Sequence, residues 1–210
     1  MLTQMKIMAC FVADVSVCAA SRLLNMRRPT ISEYYDNFRG ELYDNLLDDP
    51  ISFTDNGEYE VDECLLKHVS FPRRRTHAIQ WIAGILERST GLVLLKKIPD
   101  RSAVSLIPWV VRNVPHGSVI YSDELRSYSS LGSHEYAHFT VNHSRLEYAR
   151  LDHLGDEEIN VHINTLEQLN REIRRRFSNK ASRRSDRIDI VLGEIMYRHS
   201  GRSMYWPFKV

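Results

Sequence analysis

Three acidic residues stand where their type and spacing could do chemistry. Asp62 closes a strand-like alternation that begins at Glu58, Asp123 directly follows the apolar run Val119-Ile120-Tyr121-Ser122, and Glu167 lies on a predicted long helix. Carboxylates at the ends of neighbouring strands meet in a mixed sheet although they are distant in sequence. With a third from a helix, such a pair can hold two Mg²⁺ ions about 4 Å apart, which activate a water and stabilise the leaving oxygen of a phosphodiester. Arg171 and Arg174, one or two turns beyond Glu167, would face the same phosphate. The plainer readings stay open at this point: aspartates at strand ends are common turn residues, Glu167 suits a solvated helix face, and Glu63 and Glu124 are rivals beside the two aspartates.

The charge pattern is compatible with an anionic partner. The net charge is only +1, but basic residues gather between Arg171 and Arg187 and in Arg73-Arg74-Arg75, while acidic ones concentrate in Asp44–Glu63. Such asymmetry fits one anion-facing side. Cys10, Cys18 and Cys64 make no CxxC spacing, which suits a reducing compartment and gives no disulfide framework. The apolar start from Ile7 to Ala20 is interrupted by Asp14 and runs on into an amphipathic pattern, so it is not read as a secretion signal. No run reaches the roughly 18 apolar residues needed to span a bilayer.

The elements that must position these residues fall into two parts, a helical segment 1–50 and an α/β domain 51–210. Helices are predicted from Leu2 to Phe11, from Val15 to Asn25, and, after the basic break Met26-Arg27-Arg28-Pro29, from a cap at Thr30 or Ser32 to about Leu47. That order suits a helix-turn-helix whose last helix would enter a major groove, or equally a three-helix cap with no DNA role. Asp48 to Gly57 reads as a linker. Beyond it come a strand at Glu58–Glu63, a hairpin of Gln80–Glu87 and Leu92–Ile98, a helix at Ser102–Asn113 and a strand at Ser118–Ser122. A helix at Glu124–Leu131, a strand at His138–His143 and a long helix at Asp156–Phe177 complete an α/β layer order.

Several strings taken in order add a resemblance. They are Glu60-Val61-Asp62-Glu63, Trp81-Ile82-Ala83-Gly84-Ile85-Leu86-Glu87-Arg88, Pro99-Asp100-Arg101-Ser102 and Gly117-Ser118-Val119-Ile120-Tyr121-Ser122-Asp123-Glu124 with Tyr128 and Leu131. They continue with His138-Phe139-Thr140-Val141-Asn142-His143-Ser144 and His162-Ile163-Asn164-Thr165-Leu166-Glu167. Together the strings resemble the transposases of the Merlin superfamily and their bacterial insertion-sequence relatives called ISXO-like. The resemblance implies an RNase H-like core, a mixed five-stranded sheet with helices, preceded by a helix-turn-helix segment. It implies a catalytic and metal-holding triad of Asp62, Asp123 and Glu167, with Asn164 as the second choice for the third position, and two Mg²⁺ (or Mn²⁺) ions. His143 and His162 match family histidines near the site. Asn170 stands where the family usually carries an aromatic residue, and the glycine- and lysine-rich loop expected after the first aspartate is replaced by Cys64-Leu65-Leu66-Lys67-His68.

The expected function is that of a DDE transposase, cleaving DNA at the ends of a mobile element and joining them to a target. Thr30, Ser32 and Arg39 would read the terminal inverted repeat. Arg73, Arg74, Arg75, Arg171, Arg174 and Arg175 would contact the backbone and make binding strongly salt-dependent. The alternative is a catalytically inactive, domesticated DNA-binding protein; a nuclease selective for branched DNA shares the chemistry but needs no sequence reader. The expected partners are terminal-repeat and target DNA and further copies of the chain, as a homodimer or higher multimer, and no membrane. The expected place is the nucleus in a eukaryote or the cytoplasm in a bacterium.

Overall fold

The computed structural model describes residues 2–71, 76–141, 149–178 and 184–201. Five strands form one mixed sheet: β1 (Glu58–Phe71), β2 (Thr76–Glu87), β3 (Val93–Ile98), β4 (Val119–Asp123) and β5 (Ala137–Val141), in the spatial order β3-β2-β1-β4-β5. The first three pair antiparallel, and β4 and β5 then add parallel to β1. A three-strand meander extended by two parallel strands, with helix α4 (Ala103–Asn113) bridging β3 and β4, is the RNase H-like arrangement. The tight turn between β2 and β3 has Gly91 at φ +74, a left-handed backbone that glycine adopts without steric cost.

Side chains alternate across a strand, so the sheet carries a core on each face. Tyr59, Val61, Ala83 and Ile85 pack with Leu106 and Val110 of α4. Cys64, Leu66, Ile82 and Leu86 pack on the other face with Leu166, Leu169 and Ile173 of α5 (Asn164–Arg176) and Ile195 of α6 (Ile188–His199). Helices α1 (Leu2–Val12), α2 (Val17–Leu23) and α3 (Arg28–Asp48) contribute Ile7, Phe11, Ile31, Tyr35, Phe38 and Leu42 to this second core. The division drawn at residue 50 is thus no gap in packing: segment 1–50 and the sheet domain share one apolar core.

A buried carboxylate reinforces that junction. Glu194 of α6, whose side chain is 1% exposed, pairs with Arg39 of α3 (2.6 Å), Arg198 of α6 (2.7 Å) and Arg176 of α5 (3.3 Å). Burial alone would raise its pKa, but the three guanidinium groups outweigh that and hold it low. Arg176 also grips Asp14, in the turn between α1 and α2, with two nitrogens at 2.7 and 3.0 Å.

Several elements differ from the sequence-based expectation. The first part of the long helix expected at Asp156–Phe177 is instead β7 (Glu157–Val161), which forms a hairpin with the preceding β6 (Arg150–Leu154) and is followed by the shorter α5. Gly155 at φ +63 makes the turn, and Ile159 and Val161 alternate inward as strand residues do. The helix expected at Glu124–Leu131 is two 3-10 turns, Arg126–Tyr128 and Leu131–His134. There the Asp123 carboxylate accepts the Leu125 N–H (3.0 Å), an Asx turn that competes with helix initiation. Helix α2 is capped by Ser16, whose hydroxyl accepts from Ala19 N (3.2 Å). Helix α3 begins at Arg28 with Pro29 in its first turn, so Thr30 and Ser32 lie inside the helix rather than capping it. Helix α6 was not anticipated. Among the described residues no helix is long and apolar enough to cross a membrane.

Candidate active site

The sheet register brings the two aspartates side by side. Val61 pairs with Ser122 across the parallel β1–β4 ladder, so Asp62 and Asp123 are the next residues on adjacent strands. Along β1 the even-numbered positions face α5: Glu60 accepts the Leu166 N–H (2.8 Å), and Asp62 Oδ2 accepts from the Asn170 amide (2.8 Å). Glu63 faces the other way, where the Tyr128 hydroxyl donates to its Oε1. The choice between Asp62 and its neighbour is therefore decided by strand alternation: only Asp62 points to the helix that bears Glu167.

Helix α5 is set on the sheet by two features. Its N-cap residue, Ile163, supplies no side-chain bond. The first-turn N–H of Leu166 is instead satisfied by Glu60, which is fully buried and also meets Arg88 Nε (3.1 Å) and His162 Nδ1 (3.2 Å). A carboxylate from a distant strand thus serves as the cap, favoured by the positive end of the helix dipole. Opposite Asp62, β2 carries Gly84; a Cβ there would stand 3.1 Å from Leu166 Cδ1 and 3.3 Å from Leu95 Cδ2. The absence of a side chain lets α5 approach the sheet beside Asp62. Arg88 ties the surroundings together: it stacks 3.6 Å over the Tyr121 ring, pairs with Glu58 (3.1 Å), and donates to the carbonyls of Asn160 and His162.

The electrostatics mark a site where negative charges converge. Burial first, and then Asp123 and Glu167, push Asp62 up to about 7, although the Glu63 N–H and the Asn170 amide oppose the shift. Glu63 is likewise raised to about 7 by burial and by Asp62 and Asp123, against the Tyr128 hydrogen bond. Three oxygen donors from Asp62, Asp123 and Glu167 are the right kind for Mg²⁺ or Mn²⁺, and a cation would relieve the repulsion that Asp62 feels. Among the described residues no three His, Cys, Asp or Glu side chains form a ready-made metal cage. Ligation would draw the carboxylates closer and compete with Asn170 for Asp62.

The other expected residues are dispersed. Asn164 is the exposed first residue of α5. Thr30 and Ser32 sit half-buried in the first turns of α3. Arg39, expected to read DNA, turns inward: it pairs with Glu194 and Asp36, and its guanidinium lies 5.8 Å from the Phe11 ring centroid. Its closest partner is the buried Glu194 of its own chain because α3 packs along α6, and this corrects the expectation. Arg174 lies beside Cys64, whose thiol is pushed up to about 11 by burial although the arginine opposes the shift. Arg171 and Arg175 are exposed on another side of α5. His162 serves the Glu60 network, while Arg73, Arg74, Arg75 and His143 lie outside the described residues.

Sequence reasoning missed Glu60, Asn170 and Tyr128 as parts of the site. Two of them carried a signal: Glu60 is two residues from Asp62 on the same strand face, and Asn170 is three from Glu167 on the same helix side. Nothing local pointed to Tyr128, which reaches Glu63 from a 3-10 turn.

Comparison with known proteins fits this geometry. An uncharacterized transposase-like protein of Haemophilus influenzae is 36% identical over 47 residues, which are 22% of this chain and 38% of that protein. The match therefore spans well under half of that relative's length. Among solved structures, the intasome of simian T-cell lymphotropic virus in complex with PP2A regulatory subunit B56 gamma aligns with a TM-score of 0.42 at 13% identity. That alignment covers 66% of this chain and 47% of that one, a likeness too slight to add to the strand order above. Residues 56–199 match the ISXO2-like transposase domain, a stretch that runs from just before β1 to the last residue of α6 and includes Asp62, Asp123 and Glu167. The chain belongs to the ISXO2-like transposase family.

Proposed function

We propose that this chain is a DDE transposase that cleaves DNA at the ends of a mobile element and joins those ends to a target by metal-dependent phosphoryl transfer. The observation that carries the reading is the placement of Asp62 beside Asp123 across the β1–β4 ladder, on the face of β1 covered by α5, the helix that bears Glu167. These three carboxylates would hold two Mg²⁺ or Mn²⁺ ions, which when bound supply Lewis-acid activation of the attacking and leaving oxygens.

The chain's own residues do the positioning. Asn170 fixes the orientation of the Asp62 carboxyl, and Glu60 sets the start of α5 and with it the height of Glu167 over the sheet. Arg174, on the Cys64 side of α5, neutralises the phosphate backbone near the acidic cluster. Arg171 and Arg175 add exposed positive charge on another side of α5, so affinity falls steeply with salt. Helices α2 and α3 present Arg22, Arg27 and Arg28, all exposed around their connecting turn, for contact with the element ends. Joining two ends in one reaction calls for at least two copies of the chain.

The test is cleavage and joining of labelled DNA carrying the flanking terminal repeats, in Mg²⁺ or Mn²⁺, with Asp123→Ala as control. Metal-dependent products that vanish in Asp123→Ala are expected. Sequence-specific binding with no cleavage by the unmodified chain would reject catalysis and leave the domesticated DNA-binding protein as the reading.

A further inference from the structure

A second surface of α5 forms a binding groove of its own. Successive residues of a helix turn by about 100°, so Glu167, Asn170 and Arg174 share one side while Gln168, Arg171 and Arg175 share the next. The second set opens on a groove of about 550 Å³. The buried Leu86 and Leu169 supply its apolar lining, and His199 at the end of α6 also borders it. One acidic side chain, Glu172, faces into it, but Glu172 is already met by Arg176 (3.4 Å), His199 (3.7 Å) and Arg175 (4.0 Å). Arg171 and Arg175 are both exposed and are not drawn into the Glu194 hub.

We infer that this groove takes a stretch of phosphodiester backbone separate from the one at the acidic cluster, so that α5 lies as a wedge between two nucleic-acid segments. Arg171 and Arg175 are four residues apart, about 6 Å along the axis, which lets them engage neighbouring phosphates of one strand. Gln168 adds an amide donor for a phosphate oxygen, and the apolar lining accepts the sugar edge. The inference deepens the transposase reading by assigning DNA to both sides of the helix.

The experiment uses the full chain and a labelled 40-base-pair duplex of arbitrary sequence, with affinity followed by fluorescence anisotropy across a KCl series. Arg175→Glu and Gln168→Glu change the groove; Arg174→Glu changes the acidic side. Each position is exposed on α5, and far-UV circular dichroism checks that the helix persists. Each groove variant is expected to bind roughly tenfold more weakly, with the Arg175→Glu slope of log K against log salt shallower by about one or more. Groove variants that bind like the unmodified chain while Arg174→Glu weakens binding would overturn the groove and leave the transposase reading standing. Weakened groove variants together with a chain that never cleaves would uphold the groove and reject the catalysis. An unmodified chain that does not bind the duplex would overturn the groove outright.

Discussion

Replacing Asp62 by asparagine should make the metal-free protein more stable at neutral and alkaline pH, a reversal of the usual cost of altering a half-buried polar residue. Asp62 is pushed from 3.8 up to about 7 by burial and by Asp123 and Glu167. The folded chain therefore holds a proton there that the unfolded chain releases, and stability falls as pH rises from about 4 through about 7. A shift of about three units corresponds to at most about 4 kcal/mol above that window, at 1.36 kcal/mol per unit. Asparagine removes the charge and keeps the shape, but must turn its carbonyl oxygen toward the Asn170 amide, so a net gain of about 2 kcal/mol is expected at pH 8. For a chain of this length that is roughly 4–8 °C in Tm. At pH 4 the two proteins should melt nearly together. Thermal unfolding in EDTA at pH 4, 6 and 8 measures the difference, and added Mn²⁺ should raise the Tm of the unmodified chain far more than that of Asp62→Asn. An Asp62→Asn protein that is less stable than its parent at pH 8 in EDTA would refute the claim that a buried Asp62 charge, repelled by Asp123 and Glu167, opposes folding at this site.

Two further outcomes follow from buried carboxylates outside the acidic cluster. Glu60→Gln removes the charge facing Arg88 and weakens the tertiary cap on α5; a loss of about 2–4 kcal/mol in urea unfolding is expected, below the usual range for a broken buried pair because Arg88 keeps Glu58. Hydrogen exchange at the Leu166 amide should accelerate in the same variant, and unchanged exchange would remove Glu60 from the capping role. Glu194→Gln removes the carboxylate shared by three arginines whose side chains are 13–17% exposed; because Arg39 keeps Asp36 and Arg176 keeps Asp14, a cost of about 2–4 kcal/mol is expected. Because the folded Glu194 pKa is held low, its contribution is present above the ordinary glutamate range and is lost as the pH falls through the lower folded value. The gap between Glu194→Gln and its parent should therefore close in acid, and a gap that stays constant with pH would exclude the charge as its source.

The amino-acid sequence by itself determined what period and turn chemistry can carry. The alternation at Glu58–Glu63, the hairpin turning at Gly91, the Ser102-capped helix and the apolar run ending at Asp123 are each legible in the pattern of a few neighbouring residues, and all appear in the fold. The motif strings added the RNase H-like order and the three carboxylates. What only the tertiary structure decided rests on contacts between residues distant in the chain. Helix α5 starts at Asn164 because Glu60 caps it from β1 and Gly84 leaves room beneath it, whereas the run Asp156–Phe177 read alone holds no Gly or Pro to mark a break. Asp62 is separated from Glu63 by the side of the strand it occupies once α5 is in place, and Arg39 turns inward because Glu194 is buried at the end of a contact that spans most of the chain. Local propensity cannot register such partners, since the desolvation that makes a buried charge seek them exists only after the helices have packed.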